Sequence, residues 1–334
     1  MFERRGTLGR MLIPDHWFEA HRRVESPDGR VRTFYRWGWS VDEPDAAERH
    51  AEERLDRAEQ RFLAGGEVPS RIAKSTYGVE GTPIREEVIG RFDRHVLTRN
   101  TYGATCLNTP DGFFADIDVE DCFGLFFGAA VLVGLGTASI IAFNGFGIPL
   151  EPGLIFFLAV IPCLVVAVVI AAIVERLFGN SVDRSRRRIE SFLDDHPDWT
   201  VRLYKSPNGW RTLVTHRPIS SEEPEVGEMF DAIGADPRYV ALCRRQKCFR
   251  ARLTGKPWRM GIEEPLRPRG VWPVDPEDED ERDDWIESYE KLARRYAACR
   301  LVEVYHPAPV HPDLQRLVRM HDQLCNAETD LPLA

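Results

Sequence analysis

No P-loop, Gly-x-Gly-x-x-Gly, His-Glu-x-x-His or Gly-x-Ser-x-Gly motif occurs in this chain of 334 residues. That removes the common signatures of phosphate-cradling loops, dinucleotide folds, zinc proteases and serine-hydrolase elbows. The nine histidines are scattered, and His306 with His311 finds no third partner at metal-ligand spacing. None of the seven cysteines (Cys106, Cys122, Cys163, Cys243, Cys248, Cys299, Cys325) stands in a Cys-x-x-Cys pair. The first 25 residues lack an apolar h-region, so no N-terminal signal peptide is read there. No repeat recurs at a fixed period. Excess positive charge is missing too. The formal net charge of −9 argues against indiscriminate nucleic-acid binding, while leaving room for local basic patches.

What the chain does have is long uncharged apolar runs. Phe123 to Asn144 and Gly153 to Val174 each supply 22 residues without a charge. A helix crossing a bilayer needs about 20. The connector from Asn144 to Pro152 is rich in Gly and Pro, as a tight turn between two helices should be. The spacing predicts a transmembrane helical hairpin over residues 122–179; a pair of buried helices in a large soluble core is the alternative. Arg176, Arg184, Arg186, Arg187 and Arg188 follow the second run, while the connector has no Lys or Arg. The positive-inside rule then places both termini and the polar domain on the cytoplasmic side of the inner membrane, with the lipid bilayer as a partner. In that compartment the cysteines read as free thiols, not as disulfides or zinc ligands. Mean hydropathy is −0.33 even with the apolar runs included, so the remaining residues are strongly hydrophilic.

Those residues divide into 1–70, a β-hairpin plus helix; 71–121, the first part of an α+β core; and 180–334, the second part with C-terminal helices. The hairpin is expected around Ser26-Pro-Asp-Gly29, a turn sequence. A helix is expected over Pro44–Leu63, with Ala47, Ala51, Leu55, Ala58 and Phe62 on one stripe. Strands follow over Pro83–Phe92, Gly103–Asn108 and Phe113–Val119, and later over Thr200–Lys205 and Trp210–His216. Helices are expected at Val182–Asp195, from Asp236-Pro237 onward, and near Asp284–Ala298 and Pro312–Cys325. The acidic run Asp275–Asp284 reads as an exposed linker. The fold expected is therefore an α+β domain of antiparallel hairpins packed with helices, interrupted by a two-helix transmembrane hairpin.

Three features carry candidate chemistry. On a strand, Asp116 and Asp118 point to one face, opposite Phe113, Ala115, Ile117 and Val119. Two such carboxylates about 7 Å apart can share Mg²⁺ or Mn²⁺, which stabilise the entering and leaving oxygens of phosphoryl transfer. Solvent-facing acids at a strand end are the plainer reading. The second feature is the Ser206-Pro-Asn-Gly209 turn, whose glycine would let backbone amides approach an anion. Lys205, Arg211 and His216 flank it as candidate phosphate contacts, with His216 as metal ligand or proton shuttle. Third, seven cations stand among the sixteen residues from Arg244 to Arg259. Arg250, Arg252, Lys256, Trp258 and Arg259 suit phosphates and bases, or anionic lipid headgroups.

The order of these features resembles the catalytic core of archaeo-eukaryotic primases and primase-polymerases. In that family a strand bears an Asp-x-Asp metal pair, and a later hairpin bears a Gly-containing turn leading to a histidine. Phe114-Ala-Asp116-Ile-Asp118 matches the first element and Ser206-Pro-Asn-Gly-Trp-Arg211 through His216 the second. The family's third metal-binding Asp has no counterpart, and Val214-Thr215-His216 stands where its Ser-x-His occurs. The whole pattern, with Thr98-Arg-Asn-Thr-Tyr-Gly103 and Phe249–Arg259, also resembles an uncharacterised family of bacterial two-helix membrane proteins, a likeness that brings no activity. The primase resemblance implies Asp116, Asp118 and His216 as catalytic residues, with Asp116 and Asp118 holding Mg²⁺ or Mn²⁺. It also implies a nucleotide or nucleic-acid ligand and nucleotidyl transfer. The alternative is a membrane-tethered module that has lost catalysis and keeps only ligand binding.

Overall fold

The computed structural model describes residues 11–72, 83–119, 180–268 and 272–334. They form an α+β fold with one two-stranded and two four-stranded sheets, all paired antiparallel, and six α-helices. No helix among the described residues is long and apolar enough to cross a membrane. The expected composite, a domain interrupted by a transmembrane hairpin and anchored in the inner membrane, is corrected on that finding. An uncharged run of sufficient length permits a span without showing a helix, and the residues concerned, 122–179, lie outside the described ones.

The first unit is a long hairpin, β1 (His16–Glu25) and β2 (Val31–Ser40), reversed at Ser26-Pro-Asp-Gly29. Gly29 sits at φ +82°, the left-handed region that a side chain disfavours. Helix α1 (Pro44–Leu63) buries Ala47, Ala51, Leu55, Ala58 and Phe62 against Ala20, Val24 and Phe34 of the hairpin. The contact is close because Gly38 lacks a side chain: a Cβ there would stand 2.1 Å from the Ala47 carbonyl oxygen. Outside this core, Arg22 reaches Glu52, Asp56 and Glu59 at 2.6–2.7 Å.

One four-stranded sheet holds β3 (Glu87–Phe92), β4 (His95–Arg99), β5 (Thr105–Thr109) and β9 (Phe249–Arg252) in the order 3-4-5-9. The other holds β6 (Phe114–Asp118), β7 (Val201–Ser206), β8 (Gly209–Val214) and β10 (Arg300–Tyr305) in the order 10-7-8-6. Between β6 and β7 in sequence comes α2 (Ser181–Asp194), capped by Asn180; between β8 and β9 come α3 (Val226–Ile233) and α4 (Pro237–Gln246). Phe113, Phe230 and Phe249 join the two sheets, with ring centroids 5.1 Å apart for Phe113–Phe230 and for Phe113–Phe249. Truncating one buried phenylalanine of this kind to Ala costs about 3–5 kcal/mol.

The acidic run is not a free linker. Pro276–Asp278 forms a 3₁₀ turn that feeds α5 (Glu279–Ala293), whose acidic first turn suits the positive end of the helix dipole. Arg282 in this run is buried and pairs with Glu87. The last helix, α6 (Gln315–Leu324), packs Leu317, Val318 and His321 inward.

Candidate functional site

Strand β6 forms one edge of its sheet, and its outer side is closed by the start of α4. The Asp236 amide donates to the Asp116 carbonyl at 2.9 Å, and the Tyr239 hydroxyl donates to the Phe114 carbonyl at 2.9 Å. The Asp236 side chain accepts from the Tyr239 amide at 2.8 Å as the helix N-cap, with Pro237 in the first turn. Tyr239 also accepts from the Arg250 amide at 3.4 Å, so a single hydroxyl links β6 to β9. This junction brings the Asp-x-Asp strand beside the loop that follows β9.

Asp116 lies opposite Arg211 of β8, and the two side chains form a bidentate pair: Nε to Oδ1 at 2.7 Å and Nη2 to Oδ2 at 3.1 Å. The Arg211 side chain is 3% exposed and that of Asp116 30%. Burial works against the guanidinium charge, but the adjacent carboxylate more than offsets it and holds the arginine charged. Nη1 of Arg211 donates at 2.8 Å to the Arg252 carbonyl. Arg211 is thus the internal counter-ion of Asp116, not a ligand contact.

Asp118, exposed at the strand end, has a carboxyl that burial of its environment and the neighbouring Asp116 push above the usual range, with Asp236 adding to the shift. Lys256 and Arg259 oppose that shift, which places both cations within electrostatic reach of the pair. Each is itself shifted down, first by burial and then by Arg252 and, for Lys256, by Arg259. Among the described residues neither has a carboxylate within salt-bridge distance. Trp258, 58% exposed, stands between them in sequence, with the Lys256 ammonium 5.6 Å from its ring and Tyr102 edge-on at 5.3 Å. The result is a cationic rim with an aromatic platform beside two carboxylates.

The other expected residues lie elsewhere. Lys205 sits on the opposite face of the sheet from Arg211, its ammonium 4.7 Å from the Trp210 ring. His216 follows the far end of β8, roughly 16 Å along the chain from Arg211 at strand rise. It is half-buried against Trp199 at 5.0 Å, and burial lowers its pKa. It therefore cannot serve a metal at Asp116 and Asp118. Arg250 is paired with Glu86 at 2.6 Å, with both side chains about one-tenth exposed. Arg252 spends its Nη1 on the Thr254 and Ala334 carbonyls. The Ser206–Gly209 turn is engaged by β6. Its Asn208 carbonyl accepts from the Val119 amide at 2.7 Å, which stitches the turn to β6.

One constellation was not among the expected sites. Cys299, His321 and Cys325 are fully buried, with their donor atoms within 4.8 Å of one another. The usable signal was His321-x-x-x-Cys325, two metal-ligand types four residues apart and so on one helical face. Cys299 is distant in sequence and gives no local cue. No family model, no curated protein and no solved structure matches this chain.

The raised Asp118 pKa has a measurable sign. Below its unfolded pKa the group is protonated in both states and has no effect; as pH rises through the folded value, ionising it opposes folding. Asp118→Asn is therefore expected to stabilise the protein at neutral pH by less than about 1 kcal/mol at this exposed position. The gain should vanish below roughly pH 4. Paired urea titrations at the two pH values measure it, and a loss of stability at neutral pH would contradict the electrostatics.

Proposed function

We propose that this chain binds a nucleotide through the rim of Lys256, Trp258 and Arg259, and that it does so as a binding module without nucleotidyl transfer. The observation that carries the reading is the pair of partly buried cations with a third, Arg252, as like-charged neighbour, and an exposed indole 5.6 Å from the Lys256 ammonium. Like charges held together lower one another's pKa, and a polyphosphate relieves that repulsion. The indole offers a face on which any base can stack, a contact of about 1–3 kcal/mol.

The donor set does not suit a divalent ion shared by the two aspartates. Both oxygens of Asp116 accept from a buried guanidinium. Asp236 is committed as a helix cap, and no three carboxylates among the described residues converge at ligand distance. On this proposal the likeness to primase cores extends to the ligand class and not to the catalysis.

The test is titration of the full chain with a nucleoside triphosphate in EDTA. Lys256→Ala with Arg259→Ala is expected to weaken binding at least about 100-fold, since charge-assisted contacts contribute about 1.5–3 kcal/mol each. Asp118→Asn should tighten it by removing a nearby negative charge. Binding that needs Mg²⁺, or that weakens in Asp118→Asn, would overturn the proposal and favour metal-dependent transfer.

A further inference from the structure

Behind the sheet, Cys299 immediately precedes β10, and His321 and Cys325 project from the last turn and the end of α6. All three side chains are fully buried. The Cys299 sulfur lies 3.9 Å from His321 Nε2. A tetrahedral zinc with bonds of about 2.3 Å to sulfur and 2.05 Å to nitrogen holds those two donors about 3.6 Å apart. That pair needs a movement of only a few tenths of an ångström to close on an ion, and the Cys325 sulfur lies within 4.8 Å of both donors.

The surroundings are those of a prepared ligand. His321 Nδ1 faces Asp322 Oδ1 at 3.0 Å, which leaves Nε2 turned to the Cys299 sulfur. Asp322 is fixed in turn by the Tyr204 hydroxyl at 2.7 Å and by Arg202 at 2.6 Å. The rings of Phe114 and Tyr204 pack against the imidazole, at 5.0 and 4.8 Å. A carboxylate on the far nitrogen of a ligating histidine fixes its tautomer and raises its basicity. Arg211 Nη1 approaches Nε2 at 3.5 Å, but its short bond is to the Arg252 carbonyl, and Asp116 neutralises its charge. Two thiolates and a neutral imidazole would give a dication a centre of zero net charge, which this dry interior tolerates far better than a bare ion.

We propose that Cys299, His321 and Cys325 supply three ligands of a Zn²⁺ site, with Asp322 as the positioning residue behind His321. The ion would tie the start of β10 to α6, where the Ala298 amide already donates to the Cys325 carbonyl at 2.9 Å. Soft sulfur with imidazole selects Zn²⁺ over the hard Mg²⁺ considered for the aspartate pair. None of the three ligands belongs to the nucleotide rim, although the Cys325 thiol donates to the Arg252 carbonyl at 3.8 Å.

The experiment uses the reduced full chain. Metal analysis of the purified protein should find close to one Zn²⁺, and the Co²⁺-substituted form should show thiolate-to-cobalt charge-transfer absorption. Cys299→Ser with Cys325→Ser should abolish both, whereas Cys106→Ser, a buried thiol elsewhere, should leave both intact. If the double variant does not fold, Asp322→Asn decides, with an expected 10- to 100-fold loss of Zn²⁺ affinity at an unchanged stoichiometry. A wild-type chain that takes up neither Zn²⁺ nor Co²⁺, a double variant that keeps one equivalent, or an Asp322→Asn variant with unchanged affinity would overturn the site.

Discussion

Asp116→Ala is expected to lower the unfolding free energy by about 3–5 kcal/mol, the usual result of removing one partner from a buried ion pair. Arg211→Met should cost less, although Arg211 is the more deeply buried residue. The asymmetry follows from what each change leaves behind. Without Asp116, a fully buried guanidinium keeps its charge with only the Arg252 carbonyl and His321 beside it. Without Arg211, the remaining carboxylate is 30% exposed and water can reach it. The Asp116→Ala, Arg211→Met double variant should therefore fall near Arg211→Met alone, well short of the sum. Urea midpoints at an unchanged denaturant slope measure all three. Equal costs for the two single variants would mean that Arg211 is not confined as the structure has it. The same arithmetic bears on function. Loss of ligand binding in an Asp116 variant would report lost structure as readily as a lost metal ligand, so Asp118→Asn is the informative carboxylate change.

How far the sequence reads can be followed along β6. Alternation correctly puts Asp116 and Asp118 on one face and Ala115 with Ile117 on the other, because a strand's period is local. It says nothing of Arg211, whose side chain meets Asp116 across a pairing of residues 95 apart. A shared metal was therefore a reasonable expectation from the pair alone, and the guanidinium is what changes it. Turn chemistry was equally legible: Ser26-Pro-Asp-Gly29 marks β1 and β2, and Asp236-Pro237 marks the start of α4. Strands β4, β9 and β10 were not foreseen. β10 is an edge strand of half-buried residues with a bulge between Leu301 and Glu303, so its apolar alternation is blurred. The basic segment fails as a unit for a similar reason. Its residues divide among the end of α4, strand β9 and a 3₁₀ turn, so that Arg250 is buried against Glu86 while Lys256 and Arg259 have no carboxylate within salt-bridge distance among the described residues. Composition shows that cations are near one another in sequence. Tertiary pairing decides which of them are already neutralised.

Gly209→Ala should cost about 3 kcal/mol or more, at or beyond the upper end of ordinary overpacking. A Cβ at this position would stand 2.0 Å from the Ile117 carbonyl oxygen and 3.1 Å from the Val119 amide nitrogen. Both are backbone atoms, so no side-chain rotation can relieve the contact. The glycine is needed for strand approach and not for a left-handed turn, since its φ is not positive. The Gly209 and Asp118 backbones are registered opposite each other, so forcing them apart acts first on the end of β6. Two effects should then appear together: a lower urea midpoint and weaker nucleotide binding, as the junction of β6 with α4 and β9 beside the rim is disturbed. Gly29→Ala provides the contrast. It adds a methyl to open space at a left-handed residue in the first hairpin, and left-handed backbone costs a non-glycine residue roughly 1–2 kcal/mol. That change should lower stability modestly and leave binding intact. A Gly209→Ala protein with wild-type stability would mean that β8 and β6 are not held at the spacing seen here. The ion pair and the candidate rim would then lose their common support.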